Sequence, residues 1–143
     1  QAALAQDPYD EVRKFAACAI GSLATRQAFQ TKALAALTAA LAQDSACKVR
    51  LAAASSLGAL TEGRKLQQTL PSEVLANVLV AAAYEGLPQD RCEFAMALGA
   101  LATGQNFPAN DITTLHVAFA QEVDGNVRGQ FMEIFMTLAT KQD

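Results

Sequence analysis

Residues 32–63 read KALAALTAALAQDSACKVRLAAASSLGALTEG, and this stretch decides the fold. Its two halves are rich in alanine and leucine, and the polar segment from Gln43 to Ala46 separates them. Apolar residues recur every three or four positions in each half, which is the spacing of a helix with one buried face. The stretch therefore predicts two short helices joined by a tight elbow.

The second half of this hairpin recurs along the chain at fixed offsets. Its arginine has equivalents 37 to 41 residues apart, which are Arg13, Arg50, Arg91 and Arg128. Ten residues after each arginine is a leucine, and eight residues after it stand Gly21, Gly58, Gly99 and Met136. A period of about 40 residues is typical of stacked helical hairpins. The sequence therefore predicts an all-α repeat protein.

The chain in order predicts one partial and three complete hairpin units in a single domain over residues 1–143. The units span about residues 1–25, 30–61, 72–103 and 110–140. We expect Asp7 to be the N-cap of the first long helix, and Asn110 or Asp111 to cap the helix that opens the last unit. Since the chain begins with Gln1 and stops just after Thr140, we expect it to be a piece of a longer protein.

The pattern resembles the HEAT repeat family, including its bacterial branch related to phycobilisome lyase subunits, over essentially the whole chain. The resemblance lies in the acidic elbow residues, the Val-Arg pairs and the tails AACAIGSL, AAASSLGAL and AMALGAL. Asp90 departs from it where Val is typical, as do Phe135 and Met136 where an aliphatic residue and Gly are typical. The resemblance implies a right-handed α-α superhelix of the HEAT or armadillo type, with about three and a half helical hairpins.

Two repeated charged positions are predicted to hold the units together. An arginine in the first turn of a helix faces the positive end of the helix dipole, which costs about 0.3 to 1 kcal/mol. An acidic residue stands six positions before each arginine and can offset this cost through charge pairs that run from unit to unit. The predicted ladder consists of Asp7, Arg13, Asp44, Arg50, Glu85, Arg91, Glu122 and Arg128.

The second helix of each unit is predicted to have one buried and one exposed stripe. In the first unit the buried stripe is Val12, Ala16, Ala19, Ile20 and Leu23. The opposite stripes are expected to line the concave face that such solenoids present to partners. The predicted partner-binding residues are Lys14, Phe15, Cys18, Leu51, Ser55, Cys92, Glu93, Met96, Gln130 and Glu133.

The side chains of this predicted face are mostly small and weakly polar, and Phe15, Leu51 and Met96 add larger apolar groups. Such a surface suits a protein or peptide segment better than a phosphate backbone, and Glu93 and Glu133 argue against DNA. An equally good interpretation of Phe15 and Leu51 is that they contact a neighbouring helix.

Charge is unevenly distributed along the chain. Eight basic and five acidic residues precede Leu66, whereas three basic and nine acidic residues follow from there. This polarity could orient a partner, and solvated loops explain it equally well.

Signatures of catalysis, metal binding and membrane insertion are absent from the sequence. His116 is the only histidine, and no P-loop, GxSxG or GxGxxG occurs. Cys18, Cys47 and Cys92 form no CxxC pair, which favours a reduced, cytoplasmic setting. No apolar run reaches the roughly 18 residues that span a bilayer. We therefore expect no catalytic residue, cofactor or metal, and no membrane insertion.

Two functional hypotheses follow. The favoured one is a noncatalytic scaffold that binds a protein segment on the face formed by the second helices. The alternative, implied by the resemblance, is a phycobilin lyase or chaperone-like subunit that handles a bilin chromophore or its acceptor protein.

The apolar last helix bears on assembly. It carries Phe131, Met132, Phe135 and Met136 where earlier units have smaller residues. We expect either self-association through this helix or continuation of the native chain beyond Asp143.

Overall fold

A computed structural model describes residues 2–141 of the 143-residue chain. Within this range the chain forms eight α-helices and one short 3-10 turn, with no strand, so the all-α prediction is confirmed. The α-helices are α1 (Ala2–Gln6), α2 (Asp10–Leu23), α3 (Gln30–Gln43), α4 (Cys47–Glu62), α5 (Ser72–Tyr84), α6 (Pro88–Ala102), α7 (Ala109–Gln121) and α8 (Gly125–Lys141). The predicted domain bounds Gln1 and Asp143, together with Gln142, lie outside the described residues.

Each first helix contacts the second helix that follows it in the chain, which forms four helical hairpins. The first helices, α1, α3, α5 and α7, contact one another in chain order, and the second helices, α2, α4, α6 and α8, do the same. Apolar side chains fill the space between these two layers, with Leu57, Phe94, Leu98 and Phe131 fully buried there. Function must therefore be sought on the outer surfaces of the layers.

Two of the elbows between paired helices are held by their own acidic side chains. Asp44 Oδ1 accepts a hydrogen bond of 2.9 Å from the Ala46 amide, and Asp124 Oδ1 accepts one of 2.9 Å from the Asn126 amide. Aspartate commonly closes turns in this way, because its short side chain reaches the amide two residues later. The elbow geometry is thus encoded locally.

Both N-cap predictions were wrong. Helix α2 begins at Asp10 with Tyr9 in the cap position, and Asp7 instead accepts a 2.9 Å hydrogen bond from the Tyr9 amide. Helix α7 begins at Ala109, with Pro108 in the cap position. Asn110 and Asp111 therefore lie inside its first turn. Proline fixes the backbone for helix entry here without a side-chain cap.

The buried stripe predicted for α2 is only partly buried. Ile20 is buried, whereas Ala19 is exposed and Val12 and Leu23 are 42% and 47% exposed. The equivalent Val49 and Leu60 of α4 are 0% and 3% exposed. The difference arises because α1 spans little more than one turn and no described hairpin precedes α2.

The repeated glycines do not all lie against a close neighbour. A methyl group at Gly21 would lie 2.7 Å from Ser56 Oγ, and one at Gly58 would lie 3.1 Å from the Ala97 carbonyl oxygen. At Gly99 the nearest such atom, Ile134 Cγ1, is 3.7 Å away. Gly99 therefore has more room than Gly21 and Gly58, because the larger Ile134 stands where Ser56 and Ala97 stand in the other units.

Substituting alanine at these equivalent positions should have opposite effects. Gly21→Ala is expected to destabilise the fold by about 2 kcal/mol, because α2 and α4 must move apart to admit the methyl group. Gly99→Ala should stabilise it by up to about 1 kcal/mol, since alanine favours helix and the space is open. Urea unfolding monitored by circular dichroism measures both. Equal shifts of the two midpoints would contradict the different helix spacings.

Candidate functional site

Three ion pairs connect each hairpin to the next along the edge where the elbows lie. Arg13 Nε donates to Asp44 at 2.9 Å, Arg50 Nη2 donates to Glu85 at 3.1 Å, and Arg91 Nε donates to Glu122 at 2.8 Å. All three arginines also use Nη1 to donate to the backbone carbonyl of the acidic residue six positions earlier. Each guanidinium therefore links its own elbow to the elbow of the following unit.

The two outer members of the predicted ladder have different partners. The side chain of Asp7 accepts a backbone hydrogen bond from Tyr9. Arg128 Nη1 donates to the carbonyl oxygens of Phe119 and Glu122, and its guanidinium lies 4.2 Å from the centroid of the Phe119 ring. At this end a cation–π contact takes the place of an ion pair.

The ladder lowers the pKa of two of its carboxyl groups, those of Asp44 and Glu122. Burial alone would raise the pKa of Asp44 and that of Glu122. Hydrogen bonds from Arg13 and the Ala46 amide outweigh this effect at Asp44, and those from Arg91 and the Asp124 amide outweigh it at Glu122. Both pKa values therefore lie below their ordinary values.

These pKa shifts predict that the fold weakens in acid. Because each carboxyl has a lower pKa folded than unfolded, its stabilising contribution is complete above the unfolded value of about 4 and is lost as pH falls further. We expect the urea midpoint of the wild type to fall between pH 5 and pH 3. Asp44→Asn should reduce this fall, whereas Glu73→Gln, at an exposed position of α5, should leave it unchanged. An identical pH dependence in Asp44→Asn would refute the assignment.

The outer surface of the second-helix layer carries three open grooves, and we call this surface the second-helix face. The first groove, of about 790 Å³, lies over α2 and α4 and reaches α6. The second, of about 360 Å³, lies between α4 and α6. The third lies between the start of α6 and that of α8. Together they cross all four second helices.

Most of the predicted partner-binding residues line these grooves. Lys14, Cys18, Leu51, Ser55 and Glu93 line the first groove. Met96 lines the second, while Cys92 and Gln130 line the third. Phe15, which is 66% exposed, and Glu133, also exposed, are not among the residues that line them.

The thiols in these grooves are poorly suited to nucleophilic chemistry. Burial and a hydrogen bond with Glu85 raise the pKa of Cys47 to about 11, and burial raises the pKa of Cys92. These raised pKa values keep both thiols almost wholly protonated at neutral pH. The thiolate is the reactive form of cysteine, so neither side chain is a good nucleophile. Cys18 is exposed in the first groove.

Residues 2–141 contain no group of three or more His, Cys, Asp or Glu side chains placed to hold a metal ion. His116 stacks on Phe135, with 4.5 Å between the ring centroids. No helix in this range has both the length and the apolar character needed to cross a membrane.

Sequence reasoning missed four carboxylates that line the grooves. Glu62 lines the second groove, Asp124 lines the third, and Asp10 and Asp90 line the first. One signal for Asp90 was present in the sequence, since it replaces the valine that precedes Arg50 and Arg128. Asp124 lies in an elbow, and an exposed stripe drawn only on helices could not include it.

Comparison with known proteins identifies no relative: no protein-family model, curated protein or solved structure matches the chain.

Proposed function

We propose that this chain is a noncatalytic interaction module that binds an extended segment of a partner protein on the second-helix face. The observation that carries the proposal is the alignment of three open grooves across four adjacent helices. A series of connected grooves suits a chain-like ligand better than one compact small molecule. The arrangement that accompanies this proposal is a right-handed α-α superhelix of HEAT-like units.

The lining of the grooves supports a peptide ligand. The floor of the first two grooves consists largely of small or apolar side chains, including Leu51, Ala52, Ser55 and Ala59. Small side chains let a bound backbone approach closely, and apolar points such as Leu51 and Met96 can bury its side chains. Met96 is 55% exposed in the free chain and so offers apolar area to a partner.

Selection from a random octapeptide library displayed on phage tests the proposal. The wild type should retain peptides. The control Ala35→Arg should retain them too, because this exposed position of α3 lies away from the second-helix face. Ser55→Arg should lose them, since Ser55 lines both the first and the second groove. Equal retention by Ser55→Arg would show that this face is not the binding site.

One observation favours the bilin-handling alternative: all three cysteines line the grooves. Cys18, exposed beside the first groove, is the thiol best placed to meet a chromophore. Incubation with phycocyanobilin and recording of the visible spectrum tests this alternative. A new absorbance band that Cys18→Ser abolishes would support it, whereas an unchanged spectrum would remove it.

We also propose that α8 mediates self-association. Four residues after the repeated arginine stand Ala17, Ala54 and Ala95, each fully buried, and in α8 this position is Met132, which is 46% exposed. The next stacking position holds Met136, which is 65% exposed. A second copy could cover these two methionines. Light scattering should then give a dimer in the wild type and a monomer in Met136→Lys, and a wild-type monomer would refute the proposal.

A further inference from the structure

We propose that the partner segment on the second-helix face is basic, with Lys or Arg side chains flanking at least one apolar residue. This inference rests on the function proposed above and specifies the chemistry of the ligand. Its basis is the charge left unpaired around the apolar floor of the grooves.

Apart from Lys48, which lines the first groove, the charged residues that line the grooves from α4 to α8 are acidic. Glu62 and Glu93 line the second groove, Asp90 and Glu93 form the α6 side of the first, and Asp124 lines the third. Among residues 2–141, none of these four carboxylates forms an ion pair. This half of the face therefore presents four carboxylates without an ion-pair partner, of which Asp124 accepts backbone hydrogen bonds from the Asn126 and Val127 amides.

The basic residues near the face are already engaged or lie at its other end. Lys48 Nζ is 3.8 Å from both Asp10 and Glu11. Arg91 is bound by Glu122, and Arg128 is bound by backbone carbonyls. Lys14 lines only the first groove, on the α2 side. Within the described chain, no lysine or arginine forms an ion pair with these four carboxylates between α4 and α8.

The floor between these carboxylates is apolar, which requires more of the ligand than positive charge. Leu51, Ala59, Met96, Ala97 and Ala100 line the second groove between Glu62 and Glu93. A side chain such as leucine or methionine fits there while its lysine or arginine neighbours reach the rim. Charged groups at the rim chiefly set specificity and association rate, and the apolar contact adds affinity.

The spacing of the helices sets the length of the segment. Packed helices lie about 8 to 10 Å apart, so the path from α4 across α6 to α8 is roughly 20 Å. An extended chain covers about 3.3 to 3.6 Å per residue. The predicted contact region is therefore about six residues long, and its positive charge excludes a nucleic-acid strand as the ligand.

Sequencing the octapeptides selected in the experiment above tests this inference separately from the proposed function. We expect enrichment of Lys or Arg together with Leu or Met. A fluorescein-labelled copy of the most frequent peptide should bind Glu93→Gln and Glu93→Lys progressively more weakly, with a loss of at least about tenfold for the reversal. Glu73→Lys, which makes the same charge change at an exposed position of α5, should bind like the wild type.

The outcomes separate the two proposals. Neutral or acidic peptides that Ser55→Arg fails to retain would overturn the basic segment and leave the interaction module intact. Failure of the wild type to select any peptide would overturn both. Spermine that competes with the labelled peptide as strongly as the unlabelled peptide does would also overturn the inference. It would show that positive charge alone is enough for binding and that the apolar floor contributes nothing. Circular dichroism of each variant should match the wild type.

Discussion

Replacing Gln30 by leucine is expected to lower the free energy of unfolding by about 3 kcal/mol. The Gln30 side chain is 2% exposed, at the start of α3. Its Nε2 donates to the carbonyl oxygens of Ala24 and Lys65, at 2.9 and 2.8 Å, and its Oε1 accepts from the Gln67 amide. One amide thus joins the loop that precedes α3 to the long connector between α4 and α5.

The cost arises because leucine keeps the volume but offers no hydrogen bond to three backbone groups. Each buried polar group left without a partner costs about 1 to 3 kcal/mol. The Lys65 carbonyl and the Gln67 amide are only partly buried, so they can recover part of this cost by bonding to water. Urea unfolding followed by circular dichroism measures the change. Gln43→Leu, on the exposed end of the same helix, is the control and should shift stability by no more than about 0.5 kcal/mol. Equal effects of the two substitutions would show that the Gln30 bridge contributes nothing.

Gln30 also shows where reasoning from sequence stopped. The pattern of residues 32–63 predicted its two helices closely: the elbow expected from Gln43 to Ala46 lies between α3, which ends at Gln43, and α4, which begins at Cys47. Gln30 recurs in no other unit and looks like any polar residue before an apolar helix. Its burial depends on the connector between α4 and α5, which is distant from Gln30 in sequence and contacts it only in the folded chain. The sequence carries no signal of that contact.

Errors at the edges of the stack have a common physical cause. A repeat pattern assumes that every unit has neighbours on both sides, and Val12 and Leu23 of α2 have none on one side within the described chain. At Gly99 the pattern failed for a different reason, since the identity of the facing residue, Ile134, sets the helix spacing. The pattern identified which positions face a neighbour, but not how near that neighbour lies.

The groove residues on helices could be predicted from the sequence, whereas the groove residue in an elbow could not. The helical stripe placed Leu51, Ser55 and Glu93 on one surface, and the structure lines the first groove with all three. Asp124 was missed because it belongs to an elbow. The acidic character of this half of the face therefore emerges only when elbows and helices are considered together.

Replacing Arg91 by methionine is expected to destabilise the fold by about 3 kcal/mol. Its Nε and Nη2 donate to Glu122 at 2.8 and 3.1 Å, and its Nη1 donates to the Glu85 carbonyl at 2.8 Å. Glu122 is only 8% exposed, so the substitution leaves a buried carboxylate with backbone amides as its remaining donors. An unpaired buried charge costs more than the ion pair itself contributes. Urea unfolding at pH 7 measures the loss.

Two further variants separate the charge pair from the packing of the arginine stem. Arg128→Met removes the equivalent side chain, which bonds to carbonyls and the Phe119 ring but to no carboxylate, and should cost about 1 kcal/mol. The double variant Arg91→Met with Glu122→Met should recover much of the loss, because two apolar side chains can replace a buried pair without leaving a charge unpaired. If Arg128→Met costs as much as Arg91→Met, and the double variant recovers nothing, the stem rather than the ion pair joins the hairpins. The expected recovery would instead show that the acidic residue at each elbow makes the repeated arginine indispensable.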